Sequence, residues 1–196
     1  MLNDLYFEEF PELESQRLLL RQLNLSDASE VQGIRSDERV KVYLDQERHL
    51  SLQQSEESIS KKLKMYKEKT GMLWALIEKS TGKFIGDFAF FKIDHKNSRA
   101  EIGYTLKPEF WKKGWMKEAM MCIFNFGFKK FNLHSLEANI NPGNQNSRRI
   151  LTSMGFQKEA YFRENYFYNG DYLDSEIYSL LQSDFIKDSK NKAKIS

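Results

Sequence analysis

The chain carries one cysteine, Cys122, among 196 residues. A single thiol cannot close an internal disulfide, so no covalent staple holds the fold. Its three histidines, His49, His95 and His134, fall at no ligand spacing, and nothing else suggests a metal site. No uninterrupted apolar run is long enough to span a bilayer. The net charge of +2 is too near balance to call for nucleic acid as the main partner. Met1 to Pro11 is acidic and lacks an apolar stretch with basic flanks, so no signal peptide is expected. These absences leave a soluble cytoplasmic protein as the default expectation. With no internal repeat and no linker, the chain reads as one domain.

What is present suits a packed core, since 40% of the residues are hydrophobic. Residues 1–13 scatter Leu2, Leu5, Tyr6, Phe7, Phe10 and Leu13 among acids, an extension that either docks or frays. The domain proper is read as residues 14–184. Glu14 to Arg21 reads as a first strand. Ser26 or Asp27 caps a helix to about Ser36, with Asp27 and Glu30 spaced as a capping box. A short helical piece spans about Asp37 to Leu44, carrying Val40 and Tyr43. Ser51 and Gln54 form a second box before a surface helix of about 52–69, whose stripe is Ile59, Leu63 and Tyr66. Leu73–Glu78, Phe84–Ile93 and Arg99–Leu106 read as an antiparallel meander turning at Ser80–Lys83 and Asp94–Ser98. A helix over 115–130, a strand Ser135–Ile140, a helix Ser147–Met154 and two strands turning at Asn169–Gly170 follow. The end, 185–196, is basic and expected to be disordered, too weakly charged for RNA binding to be its main use.

The chain is organised around Tyr104 to Ala119, which reads as strand, turn, then helix. Pro108 ends the strand. Ala119, Cys122, Ile123 and Phe126 fall on one helical face. Backbone N–H groups at a helix start lack intrahelical partners, and with the helix dipole they suit a phosphate. Gly114 lets backbone approach a ligand. An ordinary strand–helix connection would look the same. The segment resembles the acyl-CoA pyrophosphate loop of the GNAT superfamily of N-acetyltransferases, and more narrowly the RimJ/RimL-like branch that acetylates ribosomal-protein N-termini. Pro108, Glu109, Trp111, Lys113, Gly114, Glu118 and Ala119 match that branch. Lys112 stands in place of its first glycine, Trp115 in place of tyrosine, and Met116 in place of a small residue.

A second signature, Asn144 to Leu151 and then Met154-Gly155-Phe156, resembles the family's Asn-x-x-Ser-x-Arg-x-Leu-x-x-x-Gly-Phe. Ser15 to Arg21 resembles the branch's opening strand. The resemblance covers about Ser15 to Asp184. It implies an α/β (α+β) GNAT fold, with a mixed, mostly antiparallel seven-stranded sheet flanked by helices. It implies acetyl-CoA as cosubstrate, held by Tyr104, Thr105, Leu106, Trp111, Lys112, Lys113, Gly114, Trp115, Met116, Lys117, Asn144 and Arg149. In the family the strand matching Arg99–Leu106 parts from the one matching Ser135–Ile140, and the pantetheine arm enters the gap; Gly103 is compatible with a bulge there.

For chemistry, many relatives carry a tyrosine where this chain has Leu151. Ser147, one turn earlier, is the candidate to assist the leaving thiolate, unless it only caps its helix. Asn144 and Arg149 equally read as a turn residue and a solvated arginine. Glu101, in Ala100-Glu101-Ile102-Gly103-Tyr104, is the candidate base. It equally suits an ion pair with Arg99 or a lysine, leaving water to take the proton. Phe162 to Tyr172 borders the acceptor in the resembling fold; Tyr166, Phe167, Tyr168 and Tyr172 suit hairpin packing, and Arg163 suits an acidic substrate. The reaction implied is transfer of acetyl to a primary amine by direct attack, best a ribosomal-type protein N-terminus. A polyamine, an aminoglycoside-like drug, or an inactive CoA-binding regulator are the alternatives. A homodimer is common in that branch.

Overall fold

The computed structural model describes residues 1–42, 44 and 50–193. Tyr43, His49 and Lys194 therefore lie outside the described residues. The elements run β1 (Leu13–Glu14), β2 (Leu18–Gln22), α1 (Ala28–Ser36), α2 (Glu38–Lys41), α3 (Leu52–Lys67), β3 (Met72–Glu78), β4 (Phe84–Asp94), β5 (Arg99–Leu106), α4 (Trp115–Lys129), β6 (Ser135–Ile140), α5 (Gln145–Ser153), β7 (Gln157–Tyr168), β8 (Asp171–Leu181) and α6 (Gln182–Ala193). The strands form one eight-stranded sheet in the order β1-β2-β3-β4-β5-β6-β8-β7. Every pairing is antiparallel except β5 with β6.

The eighth strand comes from splitting the expected first one. Ser15 turns the chain, its backbone N–H donating to the Leu18 carbonyl and its hydroxyl accepting from the Leu18 N–H. Two residues thus fold back as a short edge, which limits the unpaired backbone offered to other chains. The first helix is also capped earlier than its sequence suggests. Asn24 and Asp27 form the capping box, and a 3-10 turn over Leu25–Asp27 precedes α1. The Asp27 carboxylate is taken by Arg21 in a two-pronged ion pair at 2.6 and 2.8 Å. The Ser51–Gln54 box on α3 forms as read.

Strand alternation splits the core into two layers. Leu18, Leu20, Met72, Trp74, Phe88 and Phe90 pack on one face with Met120, Ile123 and Phe124 of α4. Leu73, Ala75, Ile77 and Ala89 face the other way, against Val31, Ile34, Val40 and Ile59 of α1–α3. Residues before β1 dock on the first layer. The Trp74 indole donates to the Pro11 carbonyl at 2.8 Å, Tyr66 donates to the Tyr6 carbonyl at 2.8 Å, and Phe10 packs on both rings. At the other end α6 replaces the disordered tail expected of a basic segment. Phe185 is buried against Phe124 and Phe128, a burial that stabilises by about 2 kcal/mol and anchors the first turn.

The feature that positions the site is a split in the sheet. β5 pairs with β6 only over Arg99, Ala100 and Glu101. Beyond Glu101 the two strands part, while β4 follows β5 as far as Leu106. In an antiparallel pair alternate residues turn their N–H and C=O away from the partner, so part of the Ile102–Leu106 backbone faces the gap. No bulge at Gly103 is needed for this. Gly103 is required instead by Phe91, whose ring would lie 2.7 Å from an added Cβ.

Candidate active site

A cavity of about 520 Å³ lies at the split. β5 contributes Tyr104, Thr105 and Leu106. The connection to α4 contributes Trp111, Lys112 and Gly114, and α4 itself Trp115, Met116 and Lys117. From the far side Asn144, Ser147 and Arg149 reach it from the start of α5. The two sequence signatures, about thirty residues apart in the chain, are thus walls of one space.

The loop wall is built around left-handed backbone. Lys112 has φ +58 and Gly114, the residue before α4, φ +81. A lysine in that conformation is uncommon and a glycine ordinary, so the loop keeps its permissive residue where the helix begins. No side chain caps α4, which leaves its first N–H groups for a ligand. The Trp111 indole donates to the Leu106 carbonyl at 2.7 Å and ties the loop to the end of β5.

Glu118 holds this wall to the sheet. It accepts from the Ser15 hydroxyl at 2.7 Å, the Arg17 N–H at 2.8 Å and the Arg17 guanidinium at 2.6 Å. The guanidinium also lies 4.0 Å from the Trp115 ring centre. Burial raises the Glu118 carboxyl, but these three donors and the arginine charge outweigh it, so its pKa is lowered. The strand opening and the loop signature, far apart in the chain, therefore meet in one ion pair.

Across the split, Asn144 caps α5 by accepting from the Ser147 N–H at 3.0 Å. Asn144 thus takes the capping task considered for Ser147, and the Ser147 hydroxyl is free of it. The adjacent arginines separate. Arg148 binds buried Glu176 and the Pro142 carbonyl, a network completed by Lys158 and Tyr178, whereas Arg149 lines the cavity. Opposite Ser147 is Tyr104. Its hydroxyl is buried without a hydrogen-bond partner. Burial pushes its pKa up to about 12, against a smaller lowering by the neighbouring Ser147 hydroxyl. Leu151, at the position of the resembling family's tyrosine, is fully buried in the core.

Two expected residues are not brought to the cavity. Glu101 lies at the closed end of the split, ion-paired to Lys92 at 2.6 Å. On an extended strand it is about 13 Å from Thr105. Lys113 does not line the space; its carbonyl accepts from Arg17 at 3.4 Å. Conversely, Arg39, Val40, Leu44, Phe110, Asn146, Ile150 and Ser153 line it without having been singled out. Asn146, Ile150 and Ser153 sit at helical spacing around Ser147, a readable signal. Arg39, Val40 and Leu44 come from a short segment with no motif of its own.

Beside the cavity, under Thr105, sits a buried charged group. Asp87 pairs with Thr105 in register, and its Oδ2 lies 3.8 Å from Arg35. Thr105 Oγ1 and the nitrogen of Lys62 are buried without hydrogen bonds. Burial lowers the Lys62 pKa, with Asp87 opposing and Arg35 reinforcing it. The sequence signal was a lone carboxylate in the apolar run Phe84–Phe91.

The walls fit an elongated phosphorylated ligand: an uncapped helix start with Lys112, Lys117 and Arg149 around it, and orphaned hydroxyls at the buried end. Among the described residues no group of three or more histidine, cysteine or acidic side chains could hold a metal, and no helix is long and apolar enough to cross a membrane.

Comparison with known proteins agrees with this geometry. The N-acetyltransferase YoaA of Bacillus subtilis, itself uncharacterised, is 34% identical over 88% of this chain and 98% of its own. A spermidine N-acetyltransferase from Vibrio cholerae, solved with CoA and spermine, superposes with a TM-score of 0.77 at 22% identity over 88% and 99% of the two chains. A ribosomal-protein-S5-alanine acetyltransferase from Vibrio fischeri gives 0.77 at 22% over 89% and 98%. At those identities the two solved structures show a shared fold. The model of the acetyltransferase (GNAT) domain matches residues 17–157 and takes in both walls of the cavity, so the chain belongs to the GNAT acetyltransferases.

Proposed function

We propose that this protein transfers an acetyl group from acetyl-CoA to a primary amine of low basicity, best a protein N-terminal α-amine of the ribosomal type. The observation that carries the reading is the lining. Among the described residues around the cavity none is a carboxylate or a histidine. With Glu101 held by Lys92, water is the proton acceptor. That suits an α-amine, whose pKa near 8 leaves roughly a tenth of it neutral at pH 7, against about one in 2,500 for a lysine-like amine with a pKa near 10.4. The rim cations Arg39, Lys112, Lys117 and Arg149 favour a phosphate-bearing donor and oppose a polycation.

In this reading the start of α4 with Lys112 and Lys117 takes the donor's pyrophosphate, and Arg149 another phosphate or the ribose. The open edge of Ile102–Leu106 hydrogen-bonds the pantetheine arm as an added strand would, and a backbone N–H near Tyr104–Leu106 meets the thioester oxygen. Val40 belongs to the layer of α1–α3 while Trp115 and Met116 belong to that of α4, and all three line the cavity. Donor and acceptor therefore approach from opposite layers, and attack is direct.

The test is thiol release from acetyl-CoA across an acceptor panel: peptides with a free α-amine and no lysine, α-blocked peptides with one lysine, and spermidine. We expect the free α-amine peptides to give kcat/KM at least about tenfold above the others, rising with pH through the amine pKa near 8. A preference for spermidine would move the acceptor to the polyamine class.

A further inference from the structure

The Tyr104 hydroxyl has no structural task. The ring is held by its stack on buried Phe88, centroids 5.9 Å apart and planes within 10°. A phenylalanine would pack there equally well without burying an orphaned hydroxyl, a group that folded proteins rarely leave unpaired. The hydroxyl lies on the split half of β5, facing Ser147 on α5, and both residues line the cavity. Asn144, not Ser147, satisfies the helix start. Two hydroxyls from opposite walls thus converge on one point of the gap with no partner for the Tyr104 donor.

We propose that the Tyr104 hydroxyl, with Ser147 beside it, is the hydrogen-bond donor to the sulfur of the acyl donor and stabilises the thiolate as it leaves. The proposal rests on the transferase reading above. In the step, the amine lone pair forms the C–N bond to the acyl carbon. The C–S bond breaks with its electron pair on sulfur, and the surplus proton of the amine passes to water. Tyr104 keeps its own proton and supplies only the hydrogen bond. A phenol ordinarily titrates near 10, so it stays protonated where an α-amine of pKa near 8 reacts, and burial acts in the same direction. A fixed donor aimed at developing charge in a dry site lowers the barrier without reorganising. Leu151 offers no such group, being enclosed in the core.

The test is binding, independent of any acceptor. CoA and desulfo-CoA are titrated calorimetrically into the full chain and into Tyr104→Phe, at about pH 7 and about pH 9.5, either side of an ordinary thiol pKa near 8.5. Wild type is expected to prefer CoA by about fivefold at the lower pH and more at the higher, because a thiolate is the stronger acceptor. Tyr104→Phe is expected to reduce both preferences below about twofold, with desulfo-CoA affinity changed by less than about twofold. Ser147→Ala, read the same way, should halve the preference and serves if Tyr104→Phe is poorly folded. An equal preference for CoA in wild type and both variants overturns the proposal and leaves the transferase reading standing. Failure of wild type to bind either ligand overturns that reading and the proposal with it.

Discussion

From Arg99 to Glu101, β5 is bonded on both sides, to β4 and to β6; from Ile102 to Leu106 only β4 holds it. The polar side chains follow that division. At the closed end Arg99 is paired with Glu137 at 2.7 Å and Glu101 with Lys92 at 2.6 Å, all near solvent. At the open end Tyr104 and Thr105 bury hydroxyls with no hydrogen-bond partner. Three residues of strand thus separate ion-paired side chains from buried hydroxyls without a hydrogen-bond partner. Because an orphaned buried group costs about 1–3 kcal/mol, the open half carries a cost that the closed half does not.

The largest break in that contrast should come from the wall of the open end. Gly114→Val places a β-branched residue at φ +81, where only glycine is comfortable, and should weaken acetyl-CoA binding by about a hundredfold in a calorimetric titration. Next is the anchor behind that wall. Glu118→Gln should lower unfolding stability by about 2 kcal/mol, since three donors lose a charged acceptor. Its pH dependence has a definite sign. A carboxyl lowered by folding contributes stability that is present above its unfolded value near 4.5 and lost as pH falls through the folded one. Wild type should therefore lose more stability than Glu118→Gln on acidification below that value, in denaturant midpoints taken across pH. The smallest effect should be at the closed end. Glu101→Gln should leave kcat within about twofold and stability within about 1 kcal/mol, because Lys92 is largely exposed. A large fall in kcat, with a lost limb in the pH profile, would return Glu101 to the role of base.

Local chemistry made much of this readable in the sequence. Arg99–Leu106 and Ser135–Ile140 coincide with strands because β-branched and apolar residues are bounded there by turn residues, and Asn169–Gly170 turns with both φ positive as its dipeptide requires. The loop wall was legible because a helix start with Gly114 before it is a local device. The split was not, since it depends on where two strands distant in the chain, Arg99–Leu106 and Ser135–Ile140, stop pairing, and no single segment carries that. Glu101 stayed open between base and ion-pair partner for the same reason. Its face was read correctly, but its neighbour Lys92 is fixed by the register of β4 against β5, where a shift lies between Phe91 and Asp94. The wall residues Arg39, Val40 and Leu44 and the Phe185 anchor depend on tertiary packing that overrides sparse local patterns.

The three tryptophans also divide the molecule for spectroscopy. Trp74 is wholly enclosed, hydrogen-bonded to Pro11 and ringed by Phe10, Phe90 and Phe126. Trp111 and Trp115 stand in the wall of the cavity. Intrinsic emission therefore carries two separable signals, a buried one that tracks docking of the opening residues and a cavity one that shifts when a ligand enters, so a titration and an unfolding curve can be followed in one unlabelled sample.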